Sequence, residues 1–274
     1  MAMRHLRLGD TTVDILLDGV FEASRDILIH NGGEAALASA LARWGDRPFS
    51  VDVNVALLRG PRGVDLVDAG TGTTWGPGLG HARSALAACG VAPDAVDRVF
   101  LTHLHGDHAY GLLDGAAPYF PRADVVLPEA ELAFYTDPAE RARLPEARHG
   151  GFDIAAAVTA AYGERLRPVP FGPVAPGVEL VPLPGHTPGQ GGFLVTGGGS
   201  TLLLLGDALH LEVEQAADPD FGTVYDLDPG LAAETRRAVL DRAAAEGWIV
   251  AGGHLRGFGR VARDGAGFRI LPLS

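Results

Sequence analysis

Residues 102–108 read Thr102-His103-Leu104-His105-Gly106-Asp107-His108 and carry the densest chemical information in the chain. Three histidines and one aspartate fall within six residues, and imidazole and carboxylate groups are common ligands of divalent metals. The stretch follows an apolar run at 97–101 that predicts a short β-strand. A ligand at a strand end is fixed by the rigid sheet, while the following loop stays open to substrate. The stretch therefore predicts a metal site at the end of a strand.

Three later segments repeat this pattern, in which a histidine or aspartate stands next to glycine at the end of a predicted strand. The candidate ligands are His186 in Pro184-Gly185-His186-Thr187-Pro188-Gly189, Asp207 after the apolar run Leu202–Leu205, and His254 after Trp248–Ala251 and two glycines. Each segment alone is compatible with an ordinary turn. Their joint occurrence after residues 102–108 favours one metal site assembled from four separate segments.

Hydrophobic periodicity predicts one α/β domain over residues 1–274, organised as two halves that each contain strands followed by helices. Strands are predicted at 4–17 (a hairpin), 53–59, 64–68, 97–101, 123–127, 166–170, 178–183, 191–196, 201–205, 248–251, 259–263 and 267–271. Helices are predicted at 81–89, 108–113, 128–135 and 229–246, with further helical segments within 136–165. The buried face of the 229–246 helix is predicted to contain Leu231, Thr235, Ala238, Val239 and Arg242.

Composition excludes several classes of function. The chain has 34 acidic and 22 basic residues, a net charge of −12, which disfavours nucleic acid as a partner because phosphate backbones would be repelled. Cys89 is the only cysteine, so neither an intramolecular disulfide nor a cysteine-rich zinc site is possible. The N-terminus has no signal-peptide pattern, and no apolar run is long enough for a membrane helix. We therefore expect a cytoplasmic protein that is not bound to membranes.

The motif at 103–108, followed in order by His186, Asp207 and His254, resembles the metallo-β-lactamase superfamily. The resemblance runs from the hairpin near residue 53 to His254. It implies the four-layer αββα sandwich of that superfamily, a fold of the α/β (α+β) class. It implies that one metal is bound by His103, His105 and His186, the other by Asp107, His108 and His254, and that Asp207 bridges them. Asp68 and Thr102 are candidates to orient these ligands through hydrogen bonds.

The ligand set predicts a hydrolase with two divalent metal ions. Zinc is the first choice, and manganese, iron and cobalt also suit imidazole and carboxylate ligands. Two such ions can share a water, lower its pKa towards neutrality and so provide a bridging hydroxide as nucleophile. The sequence has no Gly-x-Ser-x-Gly pattern that would indicate a competing serine nucleophile. Catalytic roles are expected for Asp107, Asp207 and His210.

Residues 206–229 and 246–255 resemble the methyl parathion hydrolase-like branch, whose members and relatives hydrolyse phosphotriesters, lactones and carboxylic esters. The expected substrate is therefore a small, fairly hydrophobic ester, lactone or phosphotriester. His210 stands where the acyl-homoserine-lactone lactonases commonly have a tyrosine, which counts against a lactonase of that specific type. Aromatic residues outside the ligand loops are candidate pocket walls. With His210, the predicted substrate-binding residues are Trp44, Phe49, Trp75 and Phe134.

Other functions remain open from the sequence. A thioesterase of the glyoxalase II type would share the same ligands, but it should need a basic patch for an anionic thiol carrier, and no Lys/Arg cluster stands out. A mononuclear iron dioxygenase of the same fold is a further alternative. A purely structural metal protein is disfavoured, because structural zinc sites are usually closed and rich in cysteine. A homodimer is expected by resemblance alone.

Overall fold

The computed structural model describes residues 4–273, so Met1–Met3 and Ser274 of the predicted domain lie outside the described residues. Most of the strands lie where hydrophobic alternation predicts them. The strands are β1 (His5–Leu8), β2 (Thr11–Ala23), β3 (Leu28–His30), β4 (Phe49–Gly60), β5 (Gly63–Val67), β6 (Arg98–Phe100), β7 (Leu113–Asp114), β8 (Ala117–Pro118), β9 (Asp124–Pro128), β10 (Leu166–Val169), β11 (Gly172–Ala175), β12 (Val178–Pro182), β13 (Gly191–Gly197), β14 (Ser200–Leu204), β15 (Phe221–Thr223), β16 (Ile249–Ala251), β17 (Gly259–Asp264) and β18 (Gly267–Pro272).

Helices occupy the segments between the strands. The α-helices are α1 (Glu34–Trp44), α2 (Ala82–Ala88), α3 (Gly106–Ala109), α4 (Glu129–Thr136), α5 (Pro138–Arg143), α6 (Gly150–Tyr162), α7 (Glu214–Ala217) and α8 (Pro229–Glu246). Short 3₁₀ turns lie at Arg25–Ile27, Pro93–Ala95, Tyr110–Leu112, Glu146–Arg148, Gly163–Arg165 and Gly206–Ala208. Within residues 4–273, none of these helices combines the length and hydrophobicity that crossing a bilayer requires.

The two halves of the chain form two seven-stranded sheets. The first half forms a sheet with the order β1-β2-β4-β5-β6-β9-β10, and the second half forms one with the order β11-β12-β13-β14-β16-β17-β18. Strands β5, β6, β9 and β10 run parallel, and so do β14 and β16. Because carboxyl ends of parallel strands meet at one edge of a sheet, residues that follow β5 and β6, or β14 and β16, are brought together.

Apolar side chains from both sheets pack face to face and form the central core. Phe100 of the first sheet and Phe193 of the second meet there with ring centroids 5.2 Å apart. A second core lies between the first sheet and helices α2, α3, α4 and α6, and a third lies between the second sheet and helix α8. The layers are therefore helix, sheet, sheet and helix, which confirms the predicted αββα sandwich.

The buried face of α8 differs from the predicted one. Leu231, Ala238 and Arg242 are exposed, and Val239 is buried together with Arg236 and several alanines. The predicted face is rotated away from the observed one, which contains Arg236: this side chain is only 1% exposed and has polar partners inside the protein. Short strands β3, β11 and β15 and helix α1 were not predicted.

Candidate metal centre

The seven predicted ligand residues lie together at the edge shared by the two sheets. They come from the loop after β6, from helix α3, and from the loops after β12, β14 and β16. Two groups of ligand atoms, each within 4.8 Å of one another, share Asp207: the first is His103, His105, His186 and Asp207, and the second is Asp107, His108, Asp207 and His254. The grouping agrees with the division between two metals that the resemblance implies.

Asp207 occupies the centre of the cluster. Its Oδ2 atom lies 3.3 Å from His186 Nε2 and 3.2 Å from His254 Nε2, and its Oδ1 atom lies 3.0 Å from His108 Nε2. Oδ2 thus lies between the two ligand groups, and Oδ1 faces His108 of the second group. Its position follows from the chain: the apolar strand β14 is buried between the sheets, and the residues after it turn into the shared edge.

The second nitrogen of every predicted ligand histidine contacts an acceptor outside the cluster. His103 Nδ1 lies 3.0 Å from Thr102 Oγ1, His105 Nε2 lies 3.2 Å from the Tyr135 hydroxyl, His108 Nδ1 lies 2.8 Å from Asp68 Oδ2, His186 Nδ1 lies 2.9 Å from Asp226 Oδ1, and His254 Nδ1 lies 2.7 Å from the Asp52 carbonyl. Metal-binding histidines are usually oriented in this way, because a hydrogen bond from one nitrogen leaves the lone pair of the other pointing inward.

Several buried nitrogen and oxygen atoms that point into the cluster have no hydrogen-bond partner among residues 4–273 of the protein. His103 Nε2, His108 Nε2 and Asp207 Oδ1 are buried without a hydrogen bond of acceptable geometry. His105 Nδ1 and His186 Nε2 face each other at 2.8 Å, an arrangement that suits two lone pairs directed at a shared cation. Unsatisfied buried polar atoms are costly, so convergent nitrogen and oxygen atoms of this kind fit divalent metal ions well.

Burial and neighbouring charges shift the pKa values of the ionisable groups in the cluster, often in opposite directions. Burial lowers the pKa of His103 well below its usual value and that of His105 to about 3, so both rings are neutral. Burial alone would raise the pKa of Asp207, but the charges of His108 and His254 lower it well below its usual value. Burial opposes protonation of His108, yet the carboxylates of Asp207, Asp107 and Asp68 raise its pKa well above the usual value. The two ligand groups therefore differ in proton affinity.

Asp68 has the unusual backbone geometry that accompanies its role. It follows β5 with a φ of 61°, a left-handed conformation that non-glycine residues rarely adopt. In that position its carboxylate accepts hydrogen bonds from the Thr102 amide and hydroxyl and contacts His108. Such strain persists only where surrounding contacts compensate it. The sequence expectation that Asp68 would orient a ligand histidine agrees with this geometry.

Glu131 of helix α4 links two of the ligand loops from inside the protein. Its Oε1 accepts from the Leu104 amide at 2.9 Å and its Oε2 accepts from the Thr187 hydroxyl at 2.7 Å. Burial raises the pKa of Glu131 to about 7, although these hydrogen bonds act in the opposite direction. The loop of His103 and His105 and the loop of His186 are thus held at a fixed spacing. Sequence reasoning missed Glu131, because nothing in residues 128–135 signals that a glutamate turns inward.

A cavity of about 380 Å³ opens on the cluster, and its walls are largely apolar and aromatic. Of the predicted substrate-binding residues, Phe49, Trp75 and His210 line it. Trp44 instead lines a separate cavity of about 250 Å³ and stacks near Phe221, with ring centroids 6.1 Å apart. Phe134 packs against Tyr135 and Phe152 beneath the wall. The walls also include other residues, among them Phe21, Tyr110, Tyr135, Arg148, Ile154, Tyr225 and Leu227.

His210 lies against the cluster without belonging to either predicted ligand group. Its Nε2 atom is 3.2 Å from Asp207 Oδ2, and its ring stacks on His254 with centroids 5.1 Å apart. Its Nδ1 atom is buried and makes no hydrogen bond within the described residues. It also forms a third possible ligand group with His186 and Asp226. Burial lowers the pKa of His210, so the ring is neutral and can either donate or accept a proton.

Comparison with known proteins agrees with this geometry. Residues 49–254 match the family model described as the metallo-beta-lactamase superfamily. The chain belongs to this superfamily. Among solved structures, the hydrolase AbOPH of the beta lactamase superfamily has a TM-score of 0.89 and 26% identity, with 100% of this chain and 98% of that chain covered. AidC, described as a dizinc quorum-quenching lactonase in complex with the product N-hexnoyl-L-homoserine, has a TM-score of 0.87 and 24% identity, with the same coverage.

A curated protein is similar to part of this chain. It is the uncharacterized protein YobT of Bacillus subtilis (strain 168), which is 28% identical over 170 residues. The match covers 60% of this chain and spans 65% of the length of that relative. The superfamily fold, the hydrolase neighbours and the histidine–aspartate cluster together support a metal-dependent hydrolase.

Proposed function

We propose that this chain is a hydrolase that binds two divalent metal ions and cleaves a small, fairly hydrophobic ester, lactone or phosphotriester. The observation that carries the proposal is the pair of ligand groups that share Asp207 and open into an apolar cavity. The description of AidC as a dizinc lactonase, on the same fold, favours two metals and an ester-type bond. Zinc is the first candidate, with manganese, iron and cobalt as alternatives.

His103, His105 and His186 would hold one ion, Asp107, His108 and His254 the other, and Asp207 both. Bound divalent ions would supply an activated water and polarise the oxygen of the substrate. Asp68, Thr102, Tyr135, Asp226 and the Asp52 carbonyl keep the ligand rings in the tautomers that binding requires. The closely packed histidines and the apolar walls restrict bulk water around the cluster, which strengthens the electrostatic interactions there.

Asp107, Asp207 and His210 are the proposed catalytic residues. Asp107 and Asp207 border the cavity and present carboxylates to the reacting groups. His210 also borders the cavity, and its neutral ring has one N–H that it can donate to a substrate oxygen when Asp207 is bound to metal. Phe49 and Trp75 provide apolar surface for the remainder of the substrate. The apolar portion of a moderately hydrophobic ester suits such walls.

The proposal is tested by metal analysis combined with a substrate panel of lactones, aryl esters, phosphotriesters, thioesters and a β-lactam. We expect two ions per chain, loss of activity on chelation and recovery when metal is added back. Asp207→Ala should lose bound metal and turnover together. Asp241→Ala, which removes an exposed carboxylate on α8, is the matched control and should keep both. A thoroughly chelated sample that retained full esterase activity would contradict the proposal.

A further inference from the structure

Arg148 is a positively charged residue in the wall of the cavity that also contains the metal ligands. It ends the 3₁₀ turn Glu146–Arg148, directly before α6, and is half-buried. Its Nη1 atom donates to the Tyr225 carbonyl at 3.0 Å, and its Nη2 atom donates to the Val224 carbonyl. Both acceptors are uncharged, so the guanidinium charge is held in place without being neutralised.

The lack of an acidic partner distinguishes Arg148 from most arginines of this chain. The chain contains 34 acidic residues and no lysine, and its 22 basic residues are all arginine. Arg98 pairs with Asp65 at 2.8 Å, and the buried Arg236 pairs with Asp226 at 3.6 Å. Within residues 4–273, no carboxylate lies within 4.0 Å of the Arg148 guanidinium. Taking a charge partly out of water without a partner is costly, so its presence needs a reason.

The guanidinium retains hydrogen-bonding capacity towards the cavity. Arginine has five N–H donors in a planar fork, and the two carbonyl contacts leave others available. The neighbouring wall is aromatic: Phe21 packs against Trp75 and Tyr225, with ring centroids 5.6 Å and 6.4 Å apart. A ligand in the cavity therefore meets three chemically distinct surfaces, namely the metal cluster, an apolar aromatic wall and one unpaired cation.

We propose that Arg148 binds a carboxylate of the substrate, so that the preferred substrate is an ester or lactone whose apolar portion ends in a carboxylate group. This inference rests on the proposed hydrolase function. The planar fork of arginine matches a carboxylate in a two-bond arrangement, and such charge-assisted bonds are stronger than neutral ones. The apolar portion of the substrate lies against Phe21 and Trp75, while its scissile group lies at the metal ligands.

The test compares two 4-nitrophenyl esters on the metal-loaded protein: the ester of hexanoic acid and the mono-ester of adipic acid, which adds a terminal carboxylate at the same chain length. The readout is the ratio of their kcat/KM values. We expect the wild type to favour the carboxylate ester, and Arg148→Met to lower the ratio by about 10- to 100-fold. Arg141→Met is the matched control, because Arg141 pairs with Asp153 outside the cavity, and it should keep the wild-type ratio.

Two results would overturn the inference: a wild type that favours the hexanoate ester, or an Arg148→Met protein with an unchanged ratio. An unchanged ratio in Arg148→Met would mean that Arg148 only connects residues 146–148 to residues 224–225 through its hydrogen bonds. If Arg148→Met does not fold, Arg148→Lys replaces it, because lysine keeps the charge but loses the planar fork. A selective loss with the carboxylate ester is expected for this variant, and an unchanged ratio would contradict the inference.

A direct binding measurement separates this inference from the hydrolase proposal. If the metal-loaded wild type cleaves neither ester, the hydrolase proposal fails. Titration with hexanoate and with adipate, followed by tryptophan fluorescence because Trp75 lines the cavity, then tests Arg148 alone. In both acids one carboxylate can bind the metal ions, and only adipate has a second carboxylate for Arg148. We therefore expect adipate to bind about tenfold more tightly than hexanoate, and the difference to disappear in Arg148→Met. Equal wild-type affinities for the two acids would overturn the inference independently of turnover.

Discussion

The protonation of His108 and His254 is subject to two opposing effects, burial and the charge of nearby carboxylates. Each residue is buried, which disfavours a charged ring, yet each faces Asp207, whose carboxylate favours one. The outer nitrogen of each ring is held by Asp68 or by the Asp52 carbonyl. In the metal-free protein both rings therefore bind protons more strongly than an ordinary histidine. A divalent cation and these protons compete for the same lone pairs.

This competition predicts that metal affinity increases with pH. The pKa values of His108 and His254 are raised, so these rings keep their protons to higher pH than an ordinary histidine and must release them when metal binds. Below these pKa values, the metal affinity should fall about tenfold for each unit decrease in pH and for each proton that binding releases. Calorimetry of zinc binding in buffers of different ionisation enthalpy measures the protons released. A binding constant that does not change between about pH 6 and pH 8 would contradict the prediction.

Glu131 predicts a second pH effect, on stability. Burial raises its pKa from 4.5 to about 7, so folding favours the protonated carboxyl. This contribution is fully present below pH 4.5 and is lost as the pH rises through about 7. Between about pH 5 and pH 8, metal-free wild type should lose up to about 3 kcal/mol of unfolding free energy relative to Glu131→Gln.

Urea unfolding of both proteins across this pH range measures the difference. Glu129→Gln is the matched control, since Glu129 is exposed on the same helix, and it should follow the pH dependence of the wild type. Parallel stability curves for wild type and Glu131→Gln would show that Glu131 does not titrate in this range.

At the scale of elements, helix α8 supports the metal centre from behind the second sheet. Its buried Arg236 donates to the Ala208 carbonyl at 2.8 Å, next to Asp207, and pairs with Asp226, which contacts His186. Burial alone would raise the pKa of Asp226, but His186 and Arg236 hold it below its usual range. A charged helix residue with no contact to the predicted ligands thus orients two of the segments that carry them.

Substitutions along this contact chain should weaken metal binding without removing a ligand. Asp226→Asn replaces a carboxylate partner of His186 by a neutral amide, and we expect zinc affinity to fall about 10- to 100-fold. Arg236→Lys should lower zinc affinity less, because a lysine side chain cannot donate hydrogen bonds to the same set of carbonyls. Competition with a chromogenic chelator measures the affinity.

Arg237→Lys is the control for this series, since Arg237 makes only an exposed ion pair with Asp220. Its zinc affinity should equal that of the wild type. Wild-type affinity in Asp226→Asn would show that the Asp226 contact does not position His186.

At the scale of the whole molecule, the site depends on how the two sheets are joined. Asn54 of β4 lies in the first sheet, but its side chain donates to the Gly253 and Leu255 carbonyls on either side of His254, at 3.2 Å and 2.8 Å. The carbonyl of Asp52, on the same strand, contacts the His254 ring. One metal group is therefore completed only when the sheets pack together.

Asn54→Ala tests this connection. The substitution leaves two buried carbonyls without these donors, which should cost about 1–3 kcal/mol and lower the Tm by several degrees. It should also weaken binding of the second metal, because the His254 loop loses its support. Scanning calorimetry with and without zinc measures both effects. Asn31→Ala removes an exposed amide and should change stability by less than about 0.5 kcal/mol; an equal effect of the two substitutions would contradict the prediction.

The strands and the candidate ligands were predictable from the sequence because both depend on local order along the chain, whereas the sandwich was implied by the resemblance to the superfamily. Alternation of apolar residues predicts the strands, and glycine turns after them place His103, His105, Asp107 and His108 at a strand end within six residues. Helix α8 was likewise predicted with its observed limits, Pro229–Glu246. Short strands such as β11 were missed because three or four residues carry too little periodicity to be distinguished from a loop.

The orientation of those ligands and the identity of the pocket walls were decided only by tertiary structure. The partners of His105, His186 and His254 lie 30, 40 and 202 residues away along the chain, at distances over which no local pattern constrains the pairing. The same holds for Trp44, which packs beside a different cavity. It also holds for Arg148, whose charge becomes a feature of the metal cavity only after residues 146–148 and 224–225 meet. The sequence determines which potential ligands each segment carries. Packing between distant segments determines which side chains face one another.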